Sequence, residues 1–308
     1  YILVITNYFS NRVTPLSVIE DAKAGCLVYI EDPSEEELTY LEGQGLDIDL
    51  LRDGLDPNEA PRIEDWDKRT YIYSRYVLPA TAKQTTTPVL IVFGVDTLYV
   101  VTKQPFEGLI KLINSGQITT SKRAQTLLQI LNIIQRSYKL SILAIAKRIW
   151  QIRSQLNKSE IKNEDFISFI DLEEDLNDFL LALEPMNTLL NHLLTGKSIR
   201  LYEDDRDLME DLELGSEELI NQTDSQLKTI KNIREAYSTI TANNLNKVFK
   251  LMTSITILMG IFTLITGVYS MNIALPAAHN PQAFWIIFSL TMGLIGLATY
   301  FFRKNKWL

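Results

Sequence analysis

The pattern of apolar positions predicts an α/β domain over residues 1–118. Short runs rich in Val, Ile and Tyr are separated there by Pro and Gly, which is typical of strands. These runs are YILVIT, CLVYIED, TYIYSRYVLPA and PVLIVFGVDTLYVVTKQP. Between the second and third runs, Ser34 precedes three glutamates and then apolar residues, which predicts a short helix capped by the serine.

Residues 119–245 carry a helical pattern, with apolar positions spaced three and four residues apart. After Gly215 the sequence contains neither proline nor a further glycine before Gly260. One helix from there to Val268 would be on the order of 80 Å long at ~1.5 Å per residue. Since this exceeds what a globular core needs, we expect a stalk that enters a membrane.

Residues 246–308 form the predicted membrane domain. The segments 249–268 and 283–302 each hold about 20 residues, enough to cross ~30 Å of hydrocarbon, and no Asp, Glu, Lys or Arg occurs from Leu251 to Phe302. Aromatic residues border both segments, which is typical of membrane–water interfaces. The lipid bilayer is therefore an expected partner.

Basic residues predict the direction of both spans. Lys247 and Lys250 flank the first span, and Arg303, Lys304 and Lys306 follow the second, whereas residues 270–282 contain no Lys or Arg. By the positive-inside rule both termini face the cytoplasm. We expect a multi-pass protein of the cell (inner or plasma) membrane.

Composition excludes several classes of function. The net charge is −8, without the basic stripe of a nucleic-acid-binding protein. One cysteine and two histidines do not form a zinc-type cluster. Because the sequence also lacks a nucleophile–base set and a phosphate-binding glycine loop, we do not expect an enzyme.

A stripe of mostly small or hydroxylated residues, which begins with Asn246 and Phe249, marks one face of the first span. Its residues recur at alternating steps of three and four residues: Asn246, Phe249, Thr253, Thr256, Gly260, Thr263, Gly267 and Ser270. Such a stripe allows close helix packing in lipid, and it also suits the wall of a water-filled path inside a ring of first spans. The two interpretations overlap, because a narrow pore is also a packed bundle.

With its YSMN segment at the end of the first span, the chain resembles the CorA-type magnesium transporters, also called two-span GxN membrane proteins. Tyr269-Ser270-Met271-Asn272 corresponds to Tyr-Gly-Met-Asn of that family, and the ending Lys306-Trp307-Leu308 corresponds to Lys-Lys-Trp-Leu. The resemblance covers the whole chain, from the α/β domain through the stalk to both spans and the basic tail.

The resemblance implies a funnel-shaped homopentamer that carries divalent cations, Mg²⁺ foremost and Co²⁺ or Ni²⁺ as surrogates. It places Asn272, with Met271 and Ser270, in an outer ring that receives hydrated Mg²⁺. By position the pore-lining residues would be Asn246, Phe249, Met252, Thr256, Gly260, Thr263 and Gly267, with either Met252 or Thr253 facing inward. Mg²⁺ gives up its waters reluctantly, so a ring of amide carbonyls can hold the ion through them.

Three positions depart from the family pattern. Ser270 replaces the glycine of the motif, and a serine held at positive φ would cost roughly 1–2 kcal/mol; we expect either that strain or a different turn. The outer loop Ile273–Pro281 lacks the carboxylates common in the family. Gly260 stands where relatives often have a bulky apolar residue, which widens that level.

Relatives are also gated by divalent ions held between neighbouring cytoplasmic domains. Counting back along the stalk assigns Asp211 to that regulatory Mg²⁺ site, with Asp65 or Asp67 of a neighbouring copy as its partner. The alternative is that these are acids of a solvated surface. Two carboxylates from different chains repel unless a cation bridges them, which gives a physical reason for metal-dependent closure.

Two other functions remain open at the level of sequence. One is zinc transport, as in the ZntB branch of the family, although that branch usually carries Gly-Ile-Asn and this chain has Met271. The other is a non-conducting membrane scaffold that senses divalent ions, which Ser270 in the motif would allow.

Overall fold

The computed structural model of the chain describes residues 5–11, 14–78, 85–156, 163–273 and 282–307. Its strands are β1 (Ile5–Phe9), β2 (Ser17–Ile19), β3 (Cys26–Glu31), β4 (Arg62–Trp66), β5 (Arg69–Val77), β6 (Thr86–Phe93) and β7 (Leu98–Thr102). Its helices are α1 (Glu35–Gly43), α2 (Ile48–Asp53), α3 (Glu107–Asn114), α4 (Arg123–Leu156), α5 (Asn163–Leu194), α6 (Glu203–Tyr269) and α7 (Ala283–Lys304). The expected order is confirmed: an α/β domain, long helices and two apolar C-terminal helical segments.

The strands form one mixed sheet in the order β2-β1-β3-β7-β6-β5-β4. Only β3 and β7 pair in parallel, and the other neighbours are antiparallel. Residues Cys26–Ile30 of β3 are buried without a break, as expected for a central strand covered on both faces. The last predicted run forms the hairpin β6–β7, closed by a bond from the Gly94 amide to the Thr97 carbonyl of 2.9 Å.

Helices α1 and α2 cover one face of the sheet. Their apolar side chains join those of the strands in one core, and two tyrosines of β5 also bind the α2 region through their hydroxyl groups. The Tyr71 hydroxyl accepts from the Asp47 amide at 2.9 Å, and the Tyr73 hydroxyl donates to the Leu50 carbonyl at 3.1 Å. Burial raises the pKa of Tyr71, so its phenol stays neutral in this core.

Helix α4 contacts β5 beyond the point where β4 ends. The last residue pair between β4 and β5 joins Arg62 to Tyr73. The residues of β5 after Tyr73 therefore have no β4 strand beside them. The Tyr138 hydroxyl donates to the Arg75 carbonyl at 3.1 Å, and the Ser137 hydroxyl accepts from the Val77 amide at 3.0 Å. Side chains of α4 therefore satisfy backbone groups that a longer β4 would have paired.

The predicted cap of α1 is confirmed. The Ser34 hydroxyl accepts from the Glu37 amide, and the Glu37 carboxylate accepts from the Ser34 amide at 2.8 Å. This reciprocal pair is a capping box, which satisfies two amides that the first turn leaves free.

Helix α6 starts earlier than expected and passes through Gly215. A side chain at Gly215 would lie 3.0 Å from the amide atoms of Gln135, and Gln135 donates to the carbonyl of Leu212 at 2.7 Å. The glycine therefore allows close approach of α4 and does not end the helix.

The chain divides into two compact units, Tyr1–Ile230 and Lys231–Leu308. The first unit holds the sheet, helices α1 to α5 and the first part of α6. The second holds the rest of α6, helix α7 and the tail.

Candidate functional site

The outer end of α6 carries the Ser-Met-Asn turn. The Ser270 amide donates to the Thr266 carbonyl at 3.0 Å and lies 3.3 Å from the Gly267 carbonyl, so the helical hydrogen-bond pattern extends one residue beyond Tyr269. Ser270 is not among the residues with positive φ. The expectation of a strained serine is therefore wrong, and the alternative of a different turn holds, because a right-handed helical continuation suits any L-residue.

The Ser270 hydroxyl binds within its own helix. It donates to the Gly267 carbonyl at 2.8 Å, so its proton is already in use. The oxygen keeps lone pairs that can accept hydrogen bonds from water.

Met271 and Asn272 follow as exposed residues of the turn. Within the described residues, the Asn272 amide group makes no hydrogen bond to the rest of the chain. It is therefore free to accept from, or donate to, groups outside this protomer. Of the predicted outer loop Ile273–Pro281, only Ile273 lies within the described residues, and it is exposed.

The predicted pore-lining residues are all exposed in the single chain. They are Asn246, Phe249, Met252, Thr253, Thr256, Gly260, Thr263 and Gly267. By contrast, the least exposed residues of the first span are Ser254, Leu258, Ile261 and Ile265. With 3.6 residues per turn, this second set lies about half a turn away from Thr256, Gly260, Thr263 and Gly267.

The less exposed face of α6 takes part in a groove that α6 shares with α7 at their outer ends. Helix α7 has a similar stripe, formed by Ala283, Ile287, Thr291, Ile295 and Phe302. At their outer ends both helices line one groove of about 780 Å³, to which Ile265 and Ile287 contribute. Thr256, Gly260, Thr263 and Gly267 lie outside this groove, about half a turn from Ile265, whereas Ser270 and Met271 of the predicted outer ring line it.

Hydroxyl groups on the pore face have a defined orientation. The Thr256 hydroxyl donates to the Met252 carbonyl at 2.9 Å, and the Thr263 hydroxyl donates to the Met259 carbonyl at 2.9 Å. With the donor used inside the helix, each oxygen presents lone pairs outward. Such oxygens can accept hydrogen bonds from the water shell of a cation.

The glycines of this face leave open space. A Cβ atom added at Gly260 or Gly267 would have no neighbouring atom of the single chain within 4 Å. Met252 and Thr253 are both exposed, so the structure does not choose between them as the inward residue.

The predicted acidic residues have different surroundings. Asp65, at the end of β4, accepts from the Thr70 hydroxyl at 2.7 Å and from the Ser198 hydroxyl at 2.8 Å. Both of its carboxylate oxygens are therefore used inside the chain. The His192 ring nitrogen Nε2 lies 3.2 Å from the Ser198 oxygen, and it is the donor there because Ser198 gives its proton to Asp65.

Asp67 occupies the tip of the β4–β5 hairpin. Asp67 and Lys68 have φ values of 44° and 63°, the left-handed pair of a two-residue type I′ turn. Its carboxylate lies 3.5 Å from a guanidinium nitrogen of Arg69 and is 72% exposed. Unlike the carboxylate of Asp65, which is also on an exposed residue, this carboxylate accepts no hydrogen bond from Thr70 or Ser198.

Asp211 is exposed on α6 and forms no ion pair or hydrogen bond through its side chain with other described residues. In the described ranges, no group of three or more His, Cys, Asp or Glu side chains could hold a metal ion. A metal at Asp211 would therefore need ligands from water or from a second copy. The sequence did not predict the contacts of Asp65 with Thr70 and Ser198, or that of Ser198 with His192. Ser198 lies 133 positions from Asp65, and a local pattern does not show such a contact.

Both apolar segments qualify as membrane spans by length and composition. Windows in α6 and α7 have mean hydropathies of 2.0 and 1.8, and only 6% of each window is buried. A core helix of a soluble protein would be mostly buried.

Comparison with known proteins decides the family. The model of the family described as "CorA-like Mg2+ transporter protein" matches residues 24–304. This chain belongs to the CorA-like Mg²⁺ transporter family. The two exposed apolar helices are consequently the membrane segments of a transporter.

Individual relatives agree with this assignment. The cobalt/magnesium transport protein CorA of Methanocaldococcus jannaschii is 27% identical over 294 residues, covering 92% of each chain. The complete structure of the CorA magnesium transporter from that organism superposes with a TM-score of 0.89 at 22% identity, over 100% of both chains. The full-length CmaX protein superposes with a TM-score of 0.79 at 17% identity, over 98% of this chain and 97% of the other. At these identities the two solved structures establish the fold of this CorA-like chain.

Proposed function

We propose that this CorA-like protein is a homopentameric channel through which hydrated Mg²⁺ crosses the cell membrane. The description of its family names Mg²⁺ transport, and the similar protein of Methanocaldococcus jannaschii is named as a cobalt/magnesium transport protein. Co²⁺ is therefore a second expected substrate and Ni²⁺ a further surrogate. Both termini would face the cytoplasm, as the basic residues at the ends of the spans indicate.

The observation that carries the proposal is the free face of α6. Threonine oxygens and open glycines lie on an exposed face outside the groove shared with α7, and this face ends near the exposed amide of Asn272. Five copies arranged with this face inward would enclose a narrow path of hydroxyl oxygens and backbone. Such a path can hold a hydrated cation weakly enough to release it, as conduction requires.

Asn272 suits the outer ring of such a path. Its carbonyl oxygen accepts from metal-bound water, and its amide group can brace the neighbouring copy. A ring of carboxylates would bind the ion more strongly and release it more slowly. Ser270, with its proton held by Gly267, would add acceptor oxygens just inside this ring.

We also propose that cytoplasmic Mg²⁺ closes the channel by bridging Asp211 of one copy and Asp67 of the next. All three carboxylates belong to exposed residues, and the choice of Asp67 rests on hydrogen bonding, because both oxygens of Asp65 already accept from Thr70 and Ser198. Bound Mg²⁺ would offset the repulsion between the carboxylates, and its loss would allow neighbouring copies to separate.

The test is uptake of Mg²⁺, Co²⁺, Ni²⁺ and Zn²⁺ by vesicles that contain the purified full-length protein, together with its mass in detergent. Entry of Mg²⁺ and Co²⁺ with a five-chain mass is expected. Zn²⁺ as the preferred ion would favour the zinc-transporting alternative. No uptake of any ion by a correctly assembled protein would favour the non-conducting scaffold.

A further inference from the structure

We propose that the tail of α7, residues 303–307, binds the phosphate headgroup of an anionic phospholipid in the cytoplasmic leaflet. The inference rests on the proposed membrane insertion and its direction, but not on ion transport. Three features of the tail support it: an unbalanced charge, a lysine in a conformation that favours glycine, and a tryptophan folded back onto the helix.

The charge of the chain is strongly divided. No acidic residue follows Glu235, whereas Lys247, Lys250, Arg303, Lys304 and Lys306 all lie beyond it. The net charge of −8 therefore divides into −13 for residues 1–235 and +5 for residues 236–308. In the described part of the chain none of these five side chains forms an ion pair. Their counter-charge must come from outside the protomer.

The tail ends α7 in a Schellman motif. The Lys306 amide donates to the Arg303 carbonyl at 3.1 Å, and the Trp307 amide donates to the Phe302 carbonyl at 2.9 Å. The Trp307 and Phe302 rings stack with their centroids 5.7 Å apart, which is the apolar contact that usually accompanies this motif. The tail is consequently a defined structure, with three basic residues held in one turn.

Lys306 occupies the position of the motif that usually holds glycine. Its φ of 57° lies in the left-handed region, which disfavours residues with a Cβ. A glycine would form the same hydrogen bonds without this strain. Lysine therefore keeps the motif at some cost in strain, and unlike glycine it adds a third positive charge to this turn.

A membrane surface supplies the missing partner. Tryptophan prefers the level of the headgroups, and Trp307 is fixed beside Arg303, Lys304 and Lys306 at the end of the second span. Clusters of basic residues just cytoplasmic of a span attract anionic lipids, and a phosphate accepts several charge-assisted hydrogen bonds from such a group. A helix dipole alone would explain Arg303 and Lys304, but not a strained Lys306 beyond the helix end.

Quenching of tryptophan fluorescence by brominated lipids tests the proposal on the full chain. One variant retains Trp307 as its single tryptophan and carries Trp66→Phe, Trp150→Phe and Trp285→Phe. A companion variant retains Trp285 as its single tryptophan. Each of the three replaced tryptophans is more than half exposed, so phenylalanine should be tolerated. Both proteins are placed in phosphatidylcholine vesicles with a rising fraction of brominated phosphatidylcholine or brominated phosphatidylglycerol.

We expect Trp307 to be quenched at a roughly two- to five-fold lower fraction of the anionic lipid than of the neutral one. Trp285, at the other end of α7, should show no preference. The triple change Arg303→Gln, Lys304→Gln and Lys306→Gln should abolish the preference at Trp307. The same loss of charge on α4, through Lys139→Gln, Lys147→Gln and Arg148→Gln, should leave it unchanged.

Lys306→Gly separates headgroup binding from folding. It should keep the Schellman motif and the assembled protein, yet lower the preference for the anionic lipid. Equal quenching of Trp307 by both lipids, or a preference that survives the triple change, would overturn the proposal. Quenching of Trp285 but not Trp307 would also overturn it, because Trp307 would then be covered by protein. If neither tryptophan is quenched by either lipid, the membrane insertion on which both proposals rest is itself wrong.

Discussion

The hydroxyl of Ser270 donates a hydrogen bond to the carbonyl oxygen of Gly267, 2.8 Å away and three residues back along α6. This contact, together with the right-handed backbone of Ser270, makes the first part of the Ser-Met-Asn turn a continuation of the helix. The serine is therefore compatible with the turn and needs no compensating strain elsewhere.

Ser270→Ala and Ser270→Gly should behave alike in transport. Alanine removes a hydrogen bond that contributes about 1 kcal/mol, and glycine removes the same bond without relieving any left-handed strain. Mg²⁺ uptake by vesicles should differ less than two-fold between the two variants. A large gain with glycine and none with alanine would mean that the turn adopts positive φ in the working channel.

Asn272→Ala should reduce the preference for Mg²⁺ over other divalent ions. Without the amide, the water shell of the ion loses its acceptor at the outer ring, and we expect the selectivity ratio to fall roughly ten-fold, equivalent to about 1.4 kcal/mol. Competition between Mg²⁺ and Co²⁺ for uptake measures this ratio. If Asn272→Ala keeps the selectivity of the parent, the turn is only a connector.

Asp211→Lys should remove the protection that Mg²⁺ gives the first unit against proteolysis. The lysine cannot bind a cation and places a positive charge at the proposed bridge. Asp67→Asn should weaken the same protection, whereas Asp207→Asn, another exposed acid of α6, should not. Protection that persists in the Asp211 and Asp67 variants would contradict the site.

Asp65→Ala should instead act on stability. It leaves the Thr70 and Ser198 hydroxyls without their acceptor, at a cost of about 1–3 kcal/mol. Mg²⁺ should still protect the variant at temperatures where it remains folded. A lower melting temperature with intact Mg²⁺ protection is the expected result. Loss of protection without a change in melting temperature would mean that Asp65 is a ligand of the metal site.

The sequence predicted the long helices and the strands within apolar runs, and it missed four short elements that lack a continuous apolar run. Apolar periodicity located α4, α5 and both membrane segments, and Ser34 located the start of α1. Strands β2 and β4 and helix α2 hold only 3, 5 and 6 residues, and α3 holds 8, too few to establish a period. Strands β2 and β4 form by pairing with β1 and β5, and α2 is held by contacts with β5; that information is not local.

The site shows the same division between local and distant information. The stripe from Phe249 to Gly267 follows from helix geometry, so its position on one face of α6 could be predicted. The bond from Ser198 to Asp65 depends on the approach of segments 133 positions apart, and the bond from Thr70 depends on the register of the β4–β5 hairpin. The sequence pattern predicted that Gly215 precedes the long helix. In the structure it lies within α6, where its lack of a side chain lets Gln135 approach. This role depends on tertiary packing, which the local sequence pattern does not show.

Mg²⁺ uptake by vesicles containing Gly260→Leu or Gly296→Leu tests the ion path most directly. Both glycines lie in exposed positions of apolar helices, and a Cβ at either meets no atom within 4 Å of the chain. Gly260 lies on the proposed pore face of α6, however, and Gly296 lies on α7, outside the proposed path. Because Gly260 makes this level wider than the bulky apolar residue of relatives would, leucine there should narrow the path and reduce uptake at least ten-fold below that of the parent, a barrier of about 1.4 kcal/mol or more. Leucine at Gly296 should leave uptake near that of the parent. Equal uptake by the two variants in correctly assembled protein would contradict a path lined by this face of α6.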